Sequence, residues 1–189
     1  MKALILAHNN DKFVGLRKPR AFLNLYGKTC LQHLYEQISN IGISQFGLAV
    51  GYGPEWFEQF AINNADISVI QNQEWDVTGS LQTLYNAVNF INEDFLLVES
   101  HLVCEPYCWD FVVKIKPDTC VQNCFHFVSL NTFNKMVDEC PKILKNNPKA
   151  NHRPLFEKFN FVKVSELAYD FLENQESLEN ALKYVLPRI

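Results

Sequence analysis

No apolar run in the 189 residues approaches the roughly 18 needed to cross a bilayer. The N-terminus carries no charged lead, apolar stretch and cleavage site of the secretory kind. Basic residues neither cluster nor alternate with aromatics, and the formal net charge is −4 with a pI near 5.7, so no nucleic-acid partner is indicated. These absences lead to the expectation of a soluble, cytoplasmic protein without nucleic-acid or membrane partners. What the chain does have is core material. Hydrophobic residues make up 48% of it, and its length suits one domain of the usual range of about 50 to 250 residues.

Six cysteines are present. Four of them, Cys104, Cys108, Cys120 and Cys124, fall as C-x3-C, eleven residues, C-x3-C, with His101 and His126 alongside. Zinc ligand pairs commonly sit about two to four residues apart, so a zinc-stabilised interaction module is one reading. Both pairs lack the glycine-rich turn of a zinc knuckle, and Cys104 to Cys108 reads as a strand end entering a helix. Cysteine is also among the most buried residue types, which makes buried free thiols the stronger reading.

Periodicity outlines an α/β chain. Ala3 to Leu6 is a continuous apolar run, as expected of a central strand buried on both faces. Thr29 can cap a helix whose Leu31, Leu34, Ile38 and Ile41 recur at helical spacing, with Gly42 ending it. Gln45 to Val50 reads as the second strand, closed by Gly51-Tyr52-Gly53 before a helix begun by Pro54. Ile67 to Ile70 is a third strand, and Thr78-Gly79-Ser80 opens a helix with Leu81, Leu84, Val88 and Ile91 on one face. Asp94 to Glu99 is the next central strand. A short helix over Trp109 to Ile115, a strand from Cys120 to Leu130, a helix capped by Asn131 and running to about Leu144, a loop to Pro154 and a late strand over Phe161 to Ser165 complete the reading. In an open α/β sheet, ligands bind beyond the carboxyl ends of the strands, so the loop after Ala7 is the first place to look for chemistry.

Leu6 to His33 resembles, without a gap, the start of the sugar-phosphate and alcohol-phosphate nucleotidylyltransferases, most closely the cytidylyltransferases. Their pattern runs A-A-G-x-G-x-R-M-G, then P-K-x-x-L-x-L-x-G-K-P-L-L-x-H. This chain keeps Ala7, Gly15, Pro19, Phe22, Leu23, Leu25, Gly27, Lys28, Leu31 and His33. Asn9 and Asp11 replace the two loop glycines, Phe13 the arginine and Arg20 the lysine. The later segments around Val50-Gly51-Tyr52, Asn72 to Leu81, and Ala168 to Leu182 are similar to the family as well. The resemblance implies a single domain over 1–189: a Rossmann-like three-layer α/β sandwich with a mixed, mostly parallel central sheet, the nucleotide-diphospho-sugar transferase fold. It also implies that the acceptor-side segment after about residue 104 is shortened.

The same resemblance implies nucleotide contacts at Ala7, His8, Asn9, Lys12, Arg17, Gly51, Gly79 and Ser80, where a helix start offers amides to the base and ribose. In relatives the strand matching Asp94 to Glu99 ends on an aspartate that holds Mg²⁺, and a second aspartate lies near the C-terminus. The matching positions here are His101 and Leu172. Imidazole suits a hard cation poorly and leucine cannot ligate at all. Arg20 in place of lysine exchanges a compact point charge for a fork. Four separate parts of one mechanism, the loop glycines, the loop arginine, the first aspartate and the second aspartate, are altered together. The leading expectation is a catalytically impaired nucleotidylyltransferase-like protein that binds a nucleotide, CTP favoured, or a phosphometabolite, or that acts as a partner subunit or homodimer. The alternative is an active Mg²⁺-dependent enzyme using Arg20, Glu99 and His101, with Lys12 and Arg17, in a shifted site. Mg²⁺ is expected only in that case.

Overall fold

The structure, a computed structural model, describes residues 1–8, 18–112, 114–121, 125–159, 161–164 and 169–171, with single positions 176 and 180. Strand β1 (Lys2–Ala7) is an interior strand of the seven-stranded sheet formed among the described residues. On one side it pairs in parallel with β4 (Phe46–Val50), which pairs in parallel with β5 (Ile67–Gln71). On the other side lies parallel β6 (Phe95–Glu99), then β9 (Phe125–Val128), antiparallel to β6, then β8 (Thr119–Val121), antiparallel to β9, and last β10 (Val162–Val164), parallel to β8. A mixed, mostly parallel sheet between two helical layers is the expected architecture. The expected strand Cys120 to Leu130 is instead two strands, β8 and β9, paired antiparallel.

Alternation along β1 explains why its apolar run is continuous. Ala3, Ile5 and Ala7 enter one core with α1 (Cys30–Asn40), α2 (Pro54–Ile62) and α4 (Tyr107–Val112). Leu4 and Leu6 enter the other core with α3 (Ser80–Asn86), α5 (Leu130–Asn146) and α6 (Arg153–Glu157). Two short pairs complete the fold: the hairpin β2 (Asn24–Leu25) with β3 (Lys28–Thr29), and β7 (Leu102–Cys104) with β11 (Tyr169–Phe171). Thr29 caps α1 by accepting from the Gln32 amide at 3.1 Å. Helix α5 starts earlier than expected, capped by Ser129 rather than Asn131. The cause is tertiary: Asp118, across the hairpin, accepts from the Ser129 amide at 3.0 Å and from its hydroxyl at 2.9 Å. Among the described residues, no helix is long and apolar enough to cross a membrane.

Candidate functional site

The carboxyl ends of β1 and β6 are neighbours, since Leu6 pairs with Glu99 and the Ser100 amide donates to the Leu6 carbonyl at 3.0 Å. Above them is a cavity of about 240 Å³ lined by Ala7, His8, Arg20, Ser80, Glu99, His101, Asn151, His152 and Arg153, among others. Arg20 arrives on a buried 3-10 turn (Arg20–Phe22) that the β2–β3 hairpin ties down, the Cys30 amide donating to the Leu23 carbonyl at 2.9 Å.

The far wall comes from residues 148–153, which the sequence presents as a loop. Their backbone lies directly on the start of α3. The Gly79 amide donates to the Pro148 carbonyl at 2.9 Å and the Leu81 amide to the Ala150 carbonyl at 3.1 Å. A Cβ at position 79 would come within 2.2 Å of the Ala150 oxygen, so only glycine permits this approach. Ser80 then accepts from the His152 amide at 3.1 Å and bonds its ring Nδ1 at 2.9 Å. The helix-start amides expected beside a base and ribose are therefore held by the chain's own backbone at Gly79 and Leu81, while Ser80 faces the cavity through His152.

Glu99 is the electrostatic centre of the site. Its Oε1 accepts from Arg153 Nε at 3.0 Å and Nη2 at 2.6 Å. His101 Nε2 lies 3.6 Å from Oε2, and His152 Nε2 lies 3.7 Å from Oε1. Glu99 and His101 do share a side, because the chain turns at Ser100 immediately after β6. Burial, with Arg20 and Arg153 adding to it, pushes the His101 pKa down to about 3. His152 falls to about 3 through burial, then His126, Arg153 and His8. His126 falls to about 4 through burial and then Arg153. These imidazoles are neutral at neutral pH, so their approaches to Glu99 are polar contacts and the Arg153 contact is the ion pair. Among the described lining residues, two guanidiniums oppose one carboxylate.

His8 bonds Thr83 Oγ1 through Nδ1 at 2.7 Å, and Asn72 donates to the same oxygen at 2.9 Å. Gly51 lies behind the site rather than in it: a Cβ there would approach the His8 carbonyl to 2.6 Å. Asn9, Lys12, Arg17, Leu172 and Cys124 lie outside the described residues. Of the remaining zinc candidates, Cys104 and Cys108 are packed in the core and Cys120 is buried in β8. Among the described residues, no three His, Cys, Asp or Glu side chains are grouped to hold a metal ion.

No family model matches the chain. Solved structures do. The CTP:phosphocholine cytidylyltransferase LicC of Streptococcus pneumoniae superposes with a TM-score of 0.79 at 11% identity, covering 96% of this chain and 97% of its own. The inositol-1-phosphate CTP transferase of T. maritima gives 0.80 at 10% identity, covering 99% and 95%. HddC of Yersinia pseudotuberculosis gives 0.72 at 14% identity over 96% and 98%, and was also solved in complex with GMP-PN. This chain has the nucleotidylyltransferase fold. In sequence, the bifunctional protein GlmU of Methanococcus maripaludis is 25% identical over 162 residues, 83% of this chain. The chain spans 38% of the length of that relative.

A nucleotidylyltransferase fold brings with it the question of Mg²⁺, and the donor set here does not fit the ion. At the position that the sequence resemblance matches to a metal ligand stands His101, a buried neutral imidazole. The carboxylate beside it, Glu99, already neutralises a guanidinium on the side a cation would approach. A hard divalent ion prefers several oxygen ligands, and here it would be repelled by Arg153 and Arg20.

The residues that sequence reading missed are Asn151, His152 and Arg153. Pro154, a good first-turn residue, marks a helix start there. Nothing local says that this start lies against strands 54 and more residues away.

Proposed function

We propose that this protein is a catalytically impaired relative of the nucleotidylyltransferases that binds a nucleotide, with CTP favoured, or a phosphorylated metabolite at the strand-end cavity without Mg²⁺. The observation that carries this reading is the pairing of Glu99 with Arg153 next to the neutral His101, where the transferases resembled by the sequence hold their metal. Nucleotidyl transfer consists mostly of positioning and of neutralising charge on the phosphates. Each loss of about 1.4 kcal/mol of transition-state stabilisation is a tenfold loss in rate, so the loss of metal ligands leaves little catalysis. Binding survives more readily, because a phosphate needs only cations and hydrogen-bond donors, which Arg20, Arg153, Asn151 and the neutral histidines supply.

The test is calorimetric titration of CTP, with UTP, ATP and GTP as comparisons, each with EDTA and with Mg²⁺, alongside an assay for pyrophosphate release. Saturable binding that is indifferent to Mg²⁺, without pyrophosphate release, is the expected result. Binding strengthened by Mg²⁺ together with release would establish the competing reading, an active enzyme with a rebuilt site. No binding of any of the four would remove the nucleotide from the proposal.

A further inference from the structure

We infer that the cavity between α1, α4 and the β2–β3 hairpin is a second ligand site, which takes a neutral polyhydroxylated molecule: a saccharide, or the saccharide unit of a larger compound. It shares no described lining residue with the strand-end cavity and does not depend on the binding function proposed above.

The walls of this cavity are tied together. Its volume is about 480 Å³, within the range of roughly 300 to 1,000 Å³ usual for small-molecule sites. His33, on α1, holds the hairpin through a bond from Nε2 to the Leu25 carbonyl at 2.8 Å. Trp109, on α4, donates its indole N–H to Gln37 Oε1 on α1 at 2.7 Å, and its ring stacks on Phe125 with centroids 5.4 Å apart. His33, Gln37 and Trp109 all line the cavity, so the enclosure is preformed.

The lining selects the occupant. An indole N–H can only donate, so the Gln37 amide is fixed with its oxygen on Trp109 and its nitrogen left over. That nitrogen is shielded from solvent and has no hydrogen-bond partner among the described residues. A buried donor without an acceptor is destabilising, and a ligand oxygen supplies what is missing. At the rim, Asp110 is exposed and has no hydrogen-bond or ionic partner among the described residues. A carboxylate only accepts, so this group calls for a donor. Lys28 is the one lysine or arginine among the described lining residues, and it is paired with Glu36 at 2.6 Å, which leaves the charge of Asp110 uncompensated.

Three classes of ligand meet these demands differently. A phosphate or nucleotide is repelled by Asp110. A bare cation suits Asp110 and offers no acceptor to Gln37. A hydroxyl both accepts and donates, and a saccharide carries several of them on one rigid ring. Tyr26, 68% exposed at the hairpin turn, and Pro106 supply apolar surface for the C–H face of that ring.

The test is an NMR titration of the isotope-labelled protein, read at the indole N–H resonance of Trp109. The probes are glucose, mannose, galactose, N-acetylglucosamine and sucrose, with inorganic phosphate and tetramethylammonium representing the other two classes. Saturable movement of the resonance by at least one saccharide, and by neither ion, is the expected result. Gln37→Glu keeps an acceptor for the indole and removes the donor, so it should weaken that binding about three- to tenfold, the scale of one hydrogen bond. Asp110→Asn should weaken it by a similar factor. Tyr26→Asn, whose new residue tolerates the left-handed backbone at φ 52°, should weaken it as well. Should Gln37→Glu fail to fold, the other two, both at exposed positions, carry the test.

Saccharide binding with unchanged affinity in the folded variants would overturn the site. Movement by phosphate or tetramethylammonium, with none by the saccharides, would overturn the class of ligand. No movement with any probe would overturn the inference outright. Each of these outcomes leaves the nucleotide titrations of the strand-end cavity to be judged separately.

Discussion

The body of the sheet and the crevice at its carboxyl end obey different rules. In the body, Ala3 to Leu6, Phe46, Leu48 and Leu96 to Val98 are buried among apolar partners. A few residues further on, Arg20, His101, Glu99 and His152 are packed with nearly as little exposure, yet each is polar. The body tolerates sequence change, because hydrophobic packing asks for volume and pattern more than identity. Superposition at TM-scores of 0.79 and 0.80 with 11% and 10% identity is the outcome. In the crevice a single exchange alters what can bind, since charge and hydrogen-bond geometry are specific to each side chain.

Acidification should separate the two regions most clearly. His101, His126 and His152 take up protons near pH 6.5 when unfolded, and when folded only near 3, 4 and 3. Below pH 6.5 the unfolded state therefore binds more protons, and stability falls as pH drops toward the folded values. Above pH 6.5 the contribution is fully present. The urea midpoint should be nearly level above about pH 7 and decline steadily below it, with a shallower decline in His152→Gln. A level midpoint down to about pH 5 would contradict the description of the crevice as a set of buried neutral imidazoles.

Phe46→Ala acts on the body alone. Phe46 is fully buried with its ring 4.8 Å from that of Tyr35, and its truncation should cost about 3 to 5 kcal/mol in denaturant unfolding. Its pH profile should run parallel to that of the wild type, displaced downward. A changed pH slope would mean that the two regions are coupled more closely than their packing suggests.

Gly79→Ala sits at the boundary and should have the smallest effect on stability, about 1 to 3 kcal/mol, as for other overpacking substitutions. Its added Cβ, 2.2 Å from the Ala150 oxygen, has to push residues 148–153 away from α3. Affinity for CTP or pyrophosphate should therefore fall while the fold remains, as measured by titration beside a thermal melt. Unchanged affinity would show that the far wall does not need this backbone contact.

Much of the fold was legible because its causes are local. The run Ala3 to Leu6 alternates between two cores, and Thr29, Gly42, Gly53 and Pro54 mark helix ends through capping and turn chemistry that acts within a few residues. The errors arose where a distant group intervened. Ser129 displaced Asn131 as a cap because Asp118 holds it across the hairpin, and Gly79 proved to be a point of backbone contact with Ala150.

The sequence by itself determined the alternation of β1, α1, β4, α2, β5, α3 and β6, and pointed to the carboxyl end of β1 as the place of the crevice. These follow from period, propensity and side-chain chemistry. Only the tertiary structure decided that Arg153 would sit on Glu99, 54 residues away, and that His152 would reach Ser80 across 72. The physical reason is that contacts at such separation are set by how whole layers pack, and no local pattern encodes them.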